Sequence, residues 1–150
     1  MKKITIIFFV LLAIVLIAIL KNSFSINIGS NVITPTQNND SSFETKESND
    51  GPVSVAVTPR SLEEGLSSWD FDITLNTHSE ELSADLVAVS ELVDDRGDVY
   101  KPISWEGSSP GGHHREGVLK FNPVSPRPES IELKIKNVGG IAERRFKWNL

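Results

Sequence analysis

Trp69-Asp70-Phe71-Asp72-Ile73-Thr74-Leu75-Asn76-Thr77 places apolar side chains at every odd position until Thr77. A period of two is the signature of a strand with one buried face. The same period recurs in Ile131, Leu133 and Ile135, which alternate with Glu132, Lys134 and Lys136. It recurs again where Ala142, Phe146 and Trp148 oppose Glu143, Arg145 and Lys147. Arg144 falls on the apolar side of that last stretch and is a local misfit. Gly139-Gly140 separates these two alternations and reads as a two-residue hairpin turn.

Working outward from these stretches, the pattern predicts seven strands, at about 53–58, 69–77, 84–93, 99–105, 117–122, 130–138 and 141–149. Asp94 to Asp98 (DDRGD) reads as a short hairpin loop, and Pro123, Pro126 and Pro128 interrupt pairing between the fifth and sixth strands. Ser61 to Ser67 reads as one helical turn, kept short by Gly65. Seven short antiparallel strands in about 100 residues predict an all-β fold, an immunoglobulin-like antiparallel β-sandwich with one small core. Trp69, Phe71, Trp105, Phe121, Phe146 and Trp148 are expected to pack inside it.

The chain ahead of this domain differs in kind. Ile4 to Leu20 (ITIIFFVLLAIVLIAIL) is uncharged and lies between Lys2-Lys3 and Lys21. As a helix it spans about 25 Å, close to a ~30 Å hydrocarbon core. Residues 1–21 are therefore expected to form a transmembrane signal-anchor, a single pass with the N-terminus in the cytoplasm. The competing reading is a cleaved secretory leader, which would release the same domain outside the cell. Residues 22–50 read as a disordered linker, since Thr34 to Asp50 (TPTQNNDSSFETKESND) offers almost nothing to bury. Residues 51–150 then form the sandwich.

The absence of cysteine excludes a disulfide framework and thiolate chemistry. The net charge is −5 and lacks the basic and aromatic pattern of a nucleic-acid binder. Charge is unevenly spread. Ser61 to Asp98 holds eleven acids and one base, whereas Val99 to Leu150 holds five acids and nine bases. Acidic early strands are expected to pair with basic late strands across the sheets.

All three histidines lie in expected connections, His78 after the second strand and His113-His114 in the loop from Glu106 to Glu116. If each connection reverses direction, these loops and the Gly139-Gly140 turn emerge at one end. Three neutral imidazoles suit Zn²⁺ or Cu²⁺, so His78, His113 and His114 form the candidate metal set. Neighbouring residues in extended chain point to opposite faces, so His113 and His114 reach one ion only if the chain turns between them. The alternative is histidines that hydrogen-bond backbone and hold the loops. Glu63, Glu64, Asp70, Asp94, Asp95 and Asp98 gather at the other end, where Ca²⁺ is the matching ion. Arg96-Gly97-Asp98 is a turn tripeptide too short to be specific. Nucleophilic catalysis finds no G-x-S-x-G elbow.

The strings NTHSEEL (76–82), PISWEGSSPGGHHREGVLKF (102–121), IELKI (131–135) and RRFKW (144–148) resemble a group of uncharacterised prokaryotic extracytoplasmic domains. The resemblance covers roughly Trp69 to Leu150. It implies a small β-sandwich beside a membrane segment, and that Thr77, His78, Gly112, His113, His114 and Arg115 belong to one arrangement. The expected function is a non-enzymatic, membrane-tethered extracytoplasmic binding domain with a protein partner at the cell surface. The alternatives are a Zn²⁺ or Cu²⁺ module at the loop histidines and a hydrolase at the same end.

Overall fold

The computed structural model describes residues 43–150. They form β1 (Lys46–Ser48), β2 (Val53–Pro59), β3 (Trp69–Thr77), a helical turn α1 (Leu86–Val89), β4 (Ser90–Asp94), β5 (Val99–Tyr100), β6 (Pro102–Gly107), β7 (His114–Phe121), β8 (Ser130–Val138) and β9 (Ile141–Asn149). Two antiparallel sheets result, in the orders β1-β2-β3-β7-β6 and β5-β4-β8-β9. They face each other as a β-sandwich. The expected anchor, and the linker through residue 42, lie outside the described residues. No helix among the described residues is long and apolar enough to cross a membrane.

The alternation in sequence becomes the core. Trp69, Phe71, Ile73 and Leu75 from β3 meet Ile131, Leu133 and Ile135 from β8, with Phe146 and Trp148 from β9. Phe71 packs edge-on to Phe121 at 5.5 Å and tilted against Trp148 at 5.9 Å. Five of the six expected aromatics are buried, and Trp105 is half-buried at the sandwich margin. Gly139 and Gly140 both take positive φ, 60° and 72°, as a type I′ hairpin requires.

Four local departures have physical causes. The strand expected at 84–93 begins as a helical turn because the Asp85 carboxylate accepts from Val87 N at 3.0 Å and Ala88 N at 3.4 Å. The strand expected at 99–105 divides at Lys101. Pro102 has no N–H with which to extend pairing to β4, so the chain crosses to the other sheet and pairs with β7. β7 starts at His114 rather than Gly117, extended by pairing of Asn76 with His114. Ser61 to Ser67 forms no helix; Leu62 is drawn into the core, and Trp69 Nε1 donates to Glu63 O.

The linker expected through residue 50 ends earlier. β1 pairs with β2, Lys46 opposite Val57 and Ser48 opposite Val55. The misfit Arg144 explains this strand. It is 2% exposed and donates to Ser48 O at 3.1 Å, Ser48 Oγ at 2.6 Å and Asp50 O at 2.7 Å. Trp148 Nε1 donates to Glu44 O at 2.7 Å. A polar segment with little intrinsic strand preference is thus held by side chains about a hundred residues later.

Opposite charges from the two halves of the chain meet on the outer faces. Glu91 of β4 pairs with Lys136 of β8 at 2.6 Å and with Lys101 at 3.3 Å. Asp70 of β3 faces Lys120 of β7 at 4.0 Å, where Glu106, from the same half as Lys120, also reaches it at 2.9 Å.

Candidate functional site

The β3–α1 and β6–β7 connections emerge at one end of the sandwich by their antiparallel registers, and the β8–β9 turn joins them there, with Gly139 against Val53. The first two interlock through their backbones. Thr77 N donates to His113 O at 3.0 Å, Leu82 N to Gly112 O at 3.0 Å and Gly111 N to Leu82 O at 2.9 Å. Thr77 Oγ1 accepts from Ser79 N and Glu80 N and so sets the turn after β3. Thr77, Gly112 and His113 therefore share one hydrogen-bonded arrangement.

Arg115 is its centre. It follows His114 in a strand, so the two side chains take opposite faces. His114 stays exposed beside Asn76, with Nδ1 hydrogen-bonded to Asn76 Oδ1 at 2.5 Å and Nε2 at 3.5 Å from Glu116. Arg115 turns inward and is 1% exposed. Its Nη1 donates to Leu82 O at 2.9 Å and Ala84 O at 2.7 Å, and Nη2 to Ser108 O at 3.4 Å. The guanidinium lies 5.7 Å from the centre of the Trp105 ring. Burial pushes its pKa below the ordinary guanidinium range, opposed by the nearby charge of Asp85. It has no carboxylate within ion-pair distance among the described residues; neutral carbonyl dipoles and an aromatic face take that place.

Glycine makes room for the arrangement. A Cβ on Gly117 would stand 2.6 Å from Gly107 Cα and 2.7 Å from the Trp105 indole, and one on Gly107 would stand 2.4 Å from Glu116 O. The paired glycines let the indole lie against the sheet, where Trp105 Nε1 donates to Ser108 O at 2.9 Å.

The histidines are carried to this end, but among the described residues no group of three or more His, Asp or Glu side chains is placed to hold a metal ion. His78 and His113 are exposed loop residues, and His114 belongs to a strand rather than to the loop. The central residue is thus Arg115, expected only in a supporting role. A cleft of about 190 Å³ opens beside it, bordered by Glu80, Glu81, Ala84, Gly139 and Gly140.

At the opposite end Asp94, Glu64 and Asp70 are already engaged, while Glu63 and Asp95 are exposed. The Asp94 side chain is inaccessible; Oδ2 accepts from Arg96 at 2.6 and 2.9 Å and from Tyr100 Oη at 3.1 Å, and Oδ1 accepts from Arg96 N and Asp98 N, each at 2.9 Å. Burial raises the Asp94 pKa, but the hydrogen bonds from Arg96, Asp98 N and Tyr100 outweigh it and hold the carboxyl below its usual range. Arg96 of the Arg-Gly-Asp tripeptide is therefore folded back onto the loop. Glu64 accepts from Arg127 N, and Asp70 accepts from Ser68.

Comparison with protein-family models, with curated proteins and with solved structures gives no match.

Proposed function

We propose that this chain is a membrane-tethered, extracytoplasmic interaction domain without catalytic activity, built on an immunoglobulin-like sandwich. The strand order supports the fold assignment. β2-β3-β7-β6 facing β4-β8-β9 follows the four-plus-three arrangement of that architecture, with β5 added beside β4.

One observation carries the functional reading. The described chain enters at the Asp94 end, where Phe43 and Glu44 lie against β9 near Trp148. The exposed residues His78, Glu80, Glu81 and His113 stand at the other end, on backbone pinned by Arg115. The point at which the described chain begins therefore leaves that end uncovered. Rigid backbone with exposed polar side chains suits recognition, because little order has to be gained on binding. The partner is a protein at the cell surface.

The cysteine-free chain allows a direct test. Ser109 is exposed in the β6–β7 loop. In intact cells, full-length S109C should react with a membrane-impermeant maleimide. Labelling only after lysis overturns the extracytoplasmic assignment. A photocrosslinker at S109C should then give protein adducts that the same probe at D95C, at the opposite end, does not. Equal adducts from both positions, or none from either, overturn the binding assignment.

A further inference from the structure

We propose that the seam between β2 and β9 is a strand-accepting groove, and that a second copy of this chain fills it by exchanging residues 43–50.

The groove recognises its occupant mainly through main chain. Arg144 and Trp148 take the carbonyls of Glu44, Ser48 and Asp50, while β2 supplies three ladder partners. The groove cannot stay empty at low cost. Without the strap, Arg144 keeps a single protein acceptor, Val138 O at 3.3 Å, and the hydrogen bonds to Glu44, Ser48 and Asp50 and the pairing along β2 are all lost. An intact strap must therefore occupy the groove, but that strap can come from a neighbour. An identical segment from a second copy forms identical contacts, so exchange costs no contact energy within the groove.

The hinge favours this exchange. Only residues 49–52, Asn-Asp-Gly-Pro, separate β1 from β2. Pro52 biases the residue before it toward extended conformations, and the closed turn departs from these, with Gly51 at φ 70°. Exchange at this hinge leaves both sheets, the core and the loop end within each globular unit. The proposal does not depend on where the protein resides.

Thr45 and Thr58 provide the test, since their hydroxyls lie 2.7 Å apart across the strap and β2. Both side chains sit at the surface, so cysteine is tolerated at either. Two differently tagged full-length chains, one T45C and the other T58C, are co-expressed and oxidised mildly. Exchange predicts a disulfide-linked dimer carrying both tags. Its yield should exceed that of a T45C and S109C pair by on the order of tenfold, because the groove sets the effective concentration. The double variant T45C/T58C reports closure within one chain. A mixed-tag yield no greater than the S109C control overturns the proposal, whatever the double variant does.

Discussion

At one end of the sandwich Arg115 donates to the carbonyls of Leu82, Ala84 and Ser108; at the other Asp94 accepts from Arg96, Tyr100 and two backbone N–H groups. Both charges are buried, yet their partners differ. Arg115 is held by fixed dipoles and the Trp105 face, whereas Asp94 is held largely by a guanidinium that is itself 41% exposed. Fixed dipoles do not titrate in the ordinary pH range, while a carboxylate does. Water can also take over Arg96 if Asp94 is lost, whereas losing Arg115 releases carbonyls of two separate connections at once. The loop end should therefore be the more costly to break, and the Asp94 end the more sensitive to acid.

Arg115→Ala should have the largest effect. It strands three carbonyls bonded to a charged group and removes the cation from Trp105, costing about 3–5 kcal/mol. Denaturant unfolding of the full chain measures the loss. Amide exchange should rise in residues 77–85 and 107–114 first. Lysine at this position should not restore the loss, because one ammonium cannot reproduce the planar fork. Uniform exchange across both ends would erase the distinction between them.

Asp94→Ala should cost less, about 2–3 kcal/mol, since Arg96 returns to water and only the Tyr100 hydroxyl and two backbone N–H groups of the loop lose their partner. A loss equal to that of Arg115→Ala would show that exposure of the partner does not set the difference. Gly117→Ala sharpens the comparison from the other side, because its Cβ meets Gly107 and Trp105 without touching a charge. Overpacking of this kind costs about 1–3 kcal/mol. It should displace the indole and be read as a change in tryptophan fluorescence with the acid end unchanged.

The pH response follows from Asp94. Its folded pKa lies below the unfolded value of 3.8, so the folded state binds fewer protons in that range. The stabilisation is complete above the unfolded value and is lost as pH falls through the folded one. Acid titration below about pH 4 should raise exchange in residues 94–100 before residues 77–85, and Asp94→Asn should flatten that part of the curve. The smallest effect belongs to the outer face. Glu91→Gln removes the Lys136 and Lys101 pairs at a cost of about 0.5–1 kcal/mol, and added salt should shrink it.

Much of the fold is legible because period-two alternation is a local signal. β3, β8 and β9 begin and end where their side chains alternate, and the Gly139-Gly140 turn is written in two adjacent residues. Asp85 and Pro102 lie inside stretches that read as plain strands, and neither effect was legible there. One redirects backbone into a helical turn and the other sends the chain across to the second sheet, and each outcome depends on the neighbouring strand. At the loop end, the grouping of Thr77, His78, Gly112, His113, His114 and Arg115 is expected from the resemblance, and backbone hydrogen bonds tie Thr77 to His113 and Leu82 to Gly112. Their ranking is not legible, since a histidine advertises chemistry in any sequence and an arginine beside it reads as surface.

The residues by themselves determined the all-β class, the antiparallel ladder pattern and the end at which the loops gather, since backbone geometry turns local alternation directly into strand faces. Tertiary structure alone decided that Arg115 and Arg144 enter the interior and that residues 46–48 become a strand. The reason is long range: each guanidinium finds its acceptors in loops or turns far away in the chain, and a carbonyl becomes a partner only once folding has delivered it.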